Sequence, residues 1–98
     1  MPLKVKTTIS QQVDYIDLDQ YVQELTGREW SVIAAGEYGN YEQHEFLPNG
    51  KPLDEYDAKK MKSFLDFENE YPHPSTMFAW LAANGHIQPG RYVVDIFW

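Results

Sequence analysis

A single small α+β domain is the fold class this sequence predicts, with about four mainly antiparallel strands and three helices in the order β-α-β-β-α-α-β. Three observations lead there. Apolar residues recur at helical spacing in two stretches, each with cap signals beside it. Strand-like runs stand at residues 3–9 and 91–98. Clusters of Gly, Pro and Asn separate these segments, with no repeat, linker or low-complexity run between them. A length of 98 residues suits one domain. Such a chain buries about 60–70% of the surface it exposes when unfolded. Three Trp, seven Tyr and five Phe supply large apolar area for that core.

Leu3, Val5, Thr7 and Ile9 alternate with Lys4, Lys6 and Thr8, the period of a half-buried strand. Leu18, Tyr21, Val22 and Leu25 then fall on one helical face. Asp17 is the expected N-cap with Gln20 three residues on, and Gly27 is the expected stop. Residues 30–35 form a short apolar run and read as a buried strand. Residues 36–40 hold two glycines and an asparagine, so the chain turns, and residues 41–47 read as the returning strand of a hairpin. Residues 48–52, Pro-Asn-Gly-Lys-Pro, are a strong turn signal.

A second helix is expected from Asp54. Its buried stripe is Ala58, Met61, Phe64, Leu65 and Glu68, with Lys59, Lys60 and Lys62 turned outward. Residues 71–74 break it. Ser75 is the expected cap of a third helix carrying Met77, Phe78, Trp80 and Leu81, ended by Gly85. Pro89 and Gly90 suit the centre of a type II turn. In residues 91–98, Tyr92, Val94, Ile96 and Trp98 share one face and Val93 and Phe97 the other. Apolar residues on both faces point to a central or covered strand. Trp30, Trp80 and Trp98 are expected in the core, with Trp98 also suited to a contact with a neighbour or partner.

Charge is unevenly distributed. Residues 14–57 hold eleven carboxylates and two basic side chains, and the rest of the chain holds four and six. The net charge of −7 favours cationic partners and disfavours direct binding to nucleic acid or anionic lipid. The absence of cysteine excludes disulfides, thiolate metal sites and a Cys nucleophile. No run of seven apolar residues stands near Met1, and no stretch approaches 18, so neither a secretory signal nor a membrane span is expected. The expected home is the cytoplasm.

Two blocks, residues 25–40 (Leu-Thr-Gly-Arg-Glu-Trp running into Ala-Ala-Gly-Glu-Tyr-Gly-Asn) and residues 81–98, together resemble small uncharacterised proteins of tailed bacteriophages and prophages. The likeness covers about half the chain. It implies a small cytoplasmic accessory protein, in a class where many members bind and block a host protein. It assigns no catalytic residue and no cofactor.

Residues 37–45 are the most polar candidate site. If residues 41–47 are a strand, Glu42 and His44 project from one face and could give two ligands to zinc, with Glu37 as a third. The bland alternative is a solvated strand edge kept soluble by charge. A small metal-assisted hydrolase would use Glu37, Asn40, Glu42 and His44. No Gly-rich phosphate loop or nucleophile elbow accompanies them. His73 sits between prolines and His86 follows a helix stop, so both read as local structural groups.

The leading reading is a binder without catalysis or cofactor. Its surface is expected to comprise Asp17, Glu24, Glu37, Asn40, Glu42, His44 and Glu45, joined by Asp14 and Asp19, with Tyr38 and Tyr41 as aromatic anchors. Asp54, Glu55 and Asp57 would join if the fold brings them near. The expected partner is a basic protein surface, with a host nucleic-acid-binding protein among the candidates. A self-associating structural protein is the third candidate, and a surface acidic only for solubility is the bland one.

Overall fold

The computed structural model describes residues 3, 6–7, 11–68 and 71–97. The elements run β1 (Lys6–Thr7), β2 (Gln11–Asp14), α1 (Tyr15–Thr26), α2 (Val32–Gly36), β3 (Glu42–Phe46), α3 (Glu55–Leu65), α4 (Pro74–Ala83) and β4 (Tyr92–Ile96). The α+β class stands, but the element order differs from the expected one. The sheet order is β1-β2-β4-β3, three main strands with the two-residue β1 at one edge. β4 pairs antiparallel with β3 and parallel with β2, so the sheet is mixed. Parallel pairing needs a long crossover, and the chain from α1 through α4 supplies it.

Alternation places the core on one sheet face. Val13 on β2, Tyr92, Val94 and Ile96 on β4, and Phe46 on β3 are buried. They meet Leu18, Tyr21 and Val22 of α1, Met61 and Phe64 of α3, and Met77, Phe78 and Leu81 of α4. Gln12, Asp14, Gln43 and Glu45 lie exposed on the other face. Among the described residues, the helices thus cover one face and leave the second open.

α1 follows β2 without a loop. Asp14 is the last residue of β2 and the N-cap of α1, three residues before the expected Asp17, and its side chain makes no capping hydrogen bond. Gly27 ends the helix in the left-handed region, at φ 72°. Leu25, expected on the buried stripe, is exposed.

Residues 30–35 do not form a strand. Ser31 accepts the Ala34 N–H, and Asp19 Oδ1 accepts the Val32 N–H at 2.8 Å. Both acceptors satisfy N–H groups that a first helical turn leaves orphaned, and Ala34 and Ala35 favour helix. A short apolar run fits either structure, and here the polar acceptors decide it. The expected hairpin is therefore absent, and β3 pairs with β4 instead. β2 was not foreseen, because Gln11, Gln12, Val13 and Asp14 contain one apolar residue.

α3 starts as expected, with Asp54 Oδ1 accepting the Asp57 N–H at 2.8 Å. Met61 and Phe64 form its buried stripe. Ala58 and Glu68, expected there, are exposed, and Lys60 is half-buried rather than turned outward. Arg28 closes the far end. Its Nη1 donates to Phe64 O and Glu68 O, and its guanidinium lies 5.0 Å from the Phe64 and Phe67 ring centres. A cation over carbonyls at a helix C-terminus also opposes the helix dipole. Thr76 Oγ1 donates to Asp57 Oδ1 at 2.7 Å and ties α4 to α3.

α4 is capped by His73, not Ser75. The Ser75 N–H donates to His73 Nδ1, and Pro74 takes the first helical position, where a missing N–H costs nothing. Trp30 is buried, and its Nε1 donates to Pro72 O. Trp80 is half-buried against the core. Gly90 has φ 151°, far from the value near +80° of a type II turn, and its N–H donates to Pro48 O. Gly50 fits this junction for two reasons. Its φ is +74°, and a Cβ there would come within 2.8 Å of Pro89. Of the expectations above, the parts resting on Val5, Ile9 and Trp98 lie outside the described residues.

Candidate functional site

The C-terminal ends of β2 and β4 meet the N-terminal end of β3 at one end of the sheet. The register aligns Asp14 with Asp95 and Asp95 with Gln43. Neighbouring strands lie about 4.8 Å apart, so two carboxylates sit side by side on the open face. Gln43 Nε2 donates to Asp95 Oδ1 at 2.5 Å. The Asp14 side chain is not engaged in capping α1. Like charges on paired strands oppose folding, and a cation set against them would relieve that opposition.

Aromatic rings border this row. Tyr41 is 83% exposed and Phe97 47% exposed. Both line an open depression of about 410 Å³, together with Glu42, Gln43, Asp95 and Ile96. Tyr15, the first residue of α1, meets Phe97 edge to face at 5.6 Å between ring centres. Tyr41 holds φ 59°, a left-handed conformation that costs a bulky residue energy, while its ring stands in solvent.

Glu42 and His44 lie on the helix-side face of β3, as the period of the strand predicts. Glu42 Oε2 accepts the Gly39 N–H and, at 3.2 Å, the His44 Nε2 proton. An ionised carboxylate only accepts, so the His44 ring carries hydrogen on Nε2. The His44 hydrogen bond, with help from the Gly39 N–H, holds the Glu42 carboxyl below its usual range. Tyr38 stacks on His44 with ring centres 3.6 Å apart, and its other neighbours include the His73 ring at 6.3 Å. A Cβ at Gly36 would fall 2.3 Å from the Tyr38 ring, so the glycine makes room for the stack. Burial, and then the Glu42 charge, push the Tyr38 hydroxyl pKa up. Tyr38 is thus half-buried inside the fold, while Tyr41 faces outward.

The remaining expected residues scatter. Asp17 is half-buried near the start of α1, and Glu24 is exposed about 10 Å further along that helix. Glu37 is the left-handed C-cap of α2, and Asn40 is exposed in the turn before β3. Glu45 on the open face accepts from Arg91 Nε. Asp19 and Asp57 serve hydrogen bonds between elements, and Asp54 caps α3. The linear acidic block therefore splits into carboxylates that hold the fold together and carboxylates on the surface.

Glu42 and His44 come together, but Glu37 does not complete a metal site. Among the described residues, no three His, Cys, Asp or Glu side chains gather as an ion would require. Sequence reasoning missed Asp95, Gln43, Phe97 and Tyr15. Only the pairing of β3 with β4, over about fifty intervening residues, brings Gln43 to Asp95. Among the described residues, no helix is long and apolar enough to cross a membrane. Comparison with protein-family models, curated proteins and solved structures returned no match.

Proposed function

We propose that the protein is a non-catalytic binder whose sheet end docks a basic surface of a partner protein. The observation that carries this reading is the Asp14–Asp95 row beside the outward-facing rings of Tyr41 and Phe97. Aromatic residues concentrate interface energy, and their quadrupoles attract Lys and Arg. The adjacent carboxylates supply long-range attraction, which raises the on-rate and weakens with salt. The resemblance to phage-encoded proteins makes the cytoplasm of a bacterial host the setting this proposal assumes. A metal-assisted hydrolase at Glu42 and His44 has less support. Among the described residues no third ligand joins them, and a carboxyl held below its usual range is a weak base at neutral pH.

The test is capture of partners from a bacterial lysate treated with nuclease, comparing wild type with Tyr41→Ser and Asp95→Asn. One basic protein retained by wild type and released by salt is the expected result. Tyr41→Ser should weaken its binding by about tenfold or more, the usual size of a hot-spot loss. Asp95→Asn should weaken it less, while raising thermal stability by a few tenths of a kcal/mol through removal of the like-charge pair, ~0.2–1 kcal/mol at most. Equal binding by both variants would move the site away from this sheet end.

A further inference from the structure

The strand order leaves β3 at the edge of the sheet, with β4 on one side only. Among the described residues, no backbone hydrogen bond reaches residues 42–46 from the other side. A free edge is a row of unpaired N–H and C=O groups, and it takes another strand if side chains permit. Exposed apolar residues stand at both ends of this edge. Tyr41 precedes it, and Leu47, 67% exposed, follows it. Between them, Gln43 and Glu45 face the open side and Glu42 and His44 the helix side.

Charge selects the occupant. A second copy of this chain would bring another ionised Glu42 against the same edge, with −7 net charge on each copy, while Glu45 is already paired with Arg91. A cationic segment meets attraction from Glu42 and from the net negative charge. The Glu42 carboxylate and the net charge of the chain therefore disfavour self-pairing and favour a basic strand, an attractive and a repulsive element acting together.

We infer that an extended, lysine- or arginine-bearing segment of a partner protein adds as a fifth strand along β3, held by backbone hydrogen bonds to residues 42–46 and flanked by Tyr41 and Leu47. This rests on the binding of a basic partner proposed above and extends its contact from the sheet end, through Tyr41, to the outer edge of β3. Cationic side chains on the open face would stand beside Gln43 and Glu45. Side chains of the other set would stand beside Glu42 and His44, where an alternating apolar residue is tolerated at the Phe46 end.

A short capped peptide of alternating lysine and valine is the probe. Amide hydrogen exchange of the full chain is measured with and without it, and its Kd is measured by calorimetry. The expected result is slowed exchange confined to the outward amides of residues 42–46. Backbone N-methylation of the peptide on one alternate set of residues should weaken binding by about tenfold or more, through lost strand hydrogen bonds. Methylation of the other set should leave it unchanged. If both methylated peptides bind like the parent and Tyr41→Ser still weakens all three, strand addition is overturned and the acidic docking surface stands. If the parent peptide does not bind, the basic-partner reading falls as well. Protection of the outward amides of residues 42–46 without peptide, together with a dimer in light scattering, would overturn the proposal in favour of a second copy.

Discussion

Asp19 and Glu42 belong to the same acidic segment and each accepts a backbone N–H, yet they hold protons in opposite ways. Asp19 sits where α1 meets α2, half-buried, with the Val32 N–H as its partner. Burial raises its pKa from 3.8 to about 6, and the Val32 hydrogen bond offsets only part of that rise. Glu42 stands at the sheet edge, where the His44 ring and the Gly39 N–H favour its charged form. Desolvation dominates at the first site and hydrogen bonding at the second. The difference teaches that a count of carboxylates does not measure a binding surface. Some of them are construction, and only the packing around each one tells which.

The sharpest way to break the comparison is to remove each carboxylate in turn. Asp19→Ala leaves the first N–H of α2 without its acceptor, so stability should fall by about 1–2 kcal/mol. A loss of that size lowers Tm by about 4–8 °C per kcal/mol in a domain this small. Binding of the lysine–valine peptide should not change. A melt equal to wild type would show that Ser31 alone fixes the helical turn at residues 32–36.

Acidity provides the second contrast. Folded Asp19 keeps its proton to about pH 6, whereas the unfolded chain releases it near 3.8. The native state therefore binds more protons across that window, and stability contributed by Asp19 falls as pH rises from about 4 to about 6. Glu42 has the opposite sign. Its contribution is present above the ordinary carboxyl pKa and is lost as pH falls through the lowered folded value. Urea midpoints measured across this range should show the downward slope in wild type. Asp19→Asn should flatten it, because an amide oxygen still accepts from Val32 and carries no charge to desolvate. An unchanged slope in that variant would place the titrating group elsewhere.

The smallest expected effect is at Glu42. Glu42→Gln keeps an acceptor for the Gly39 N–H in a solvent-accessible place, so its melt should shift less than that of Asp19→Ala. Its acid-side loss of stability should disappear while the Asp19 slope persists. A larger shift than that of Asp19→Ala would reverse the assignment of structural and surface roles.

Much of the frame is legible in the residue pattern. The 3.6-residue stripe of α1, the Asp54 cap of α3 and the two apolar faces of β4 follow from spacing and cap chemistry. The segment at residues 31–36 was not, because its helical form depends on Asp19, twelve or more residues away. β2 was not, because one buried valine among polar residues carries no alternation, and its strand state comes from pairing with β4. The site divides the same way. Tyr41, Glu42, His44 and Glu45 are chain neighbours and could be read together. Asp14, Asp95 and Phe97 join them only through a register that links distant segments. Tyr38 and Tyr41 look equivalent in sequence, and only the stack on His44 separates the internal ring from the external one.

The position of β4 between β2 and β3 sets an order of events during synthesis. β2 and β3 touch no common strand except β4. A nascent chain still lacking residues 92–96 can form helical turns and pair β1 with β2, but it has nothing to join β2 to β3. Closing the Gln11–Tyr92 pair spans roughly eighty residues, and the entropy of that closure falls due before the pairing returns energy. Folding of this small domain should therefore be late, cooperative and slow for its size, with translation complete through β4 before β2 and β3 belong to one sheet.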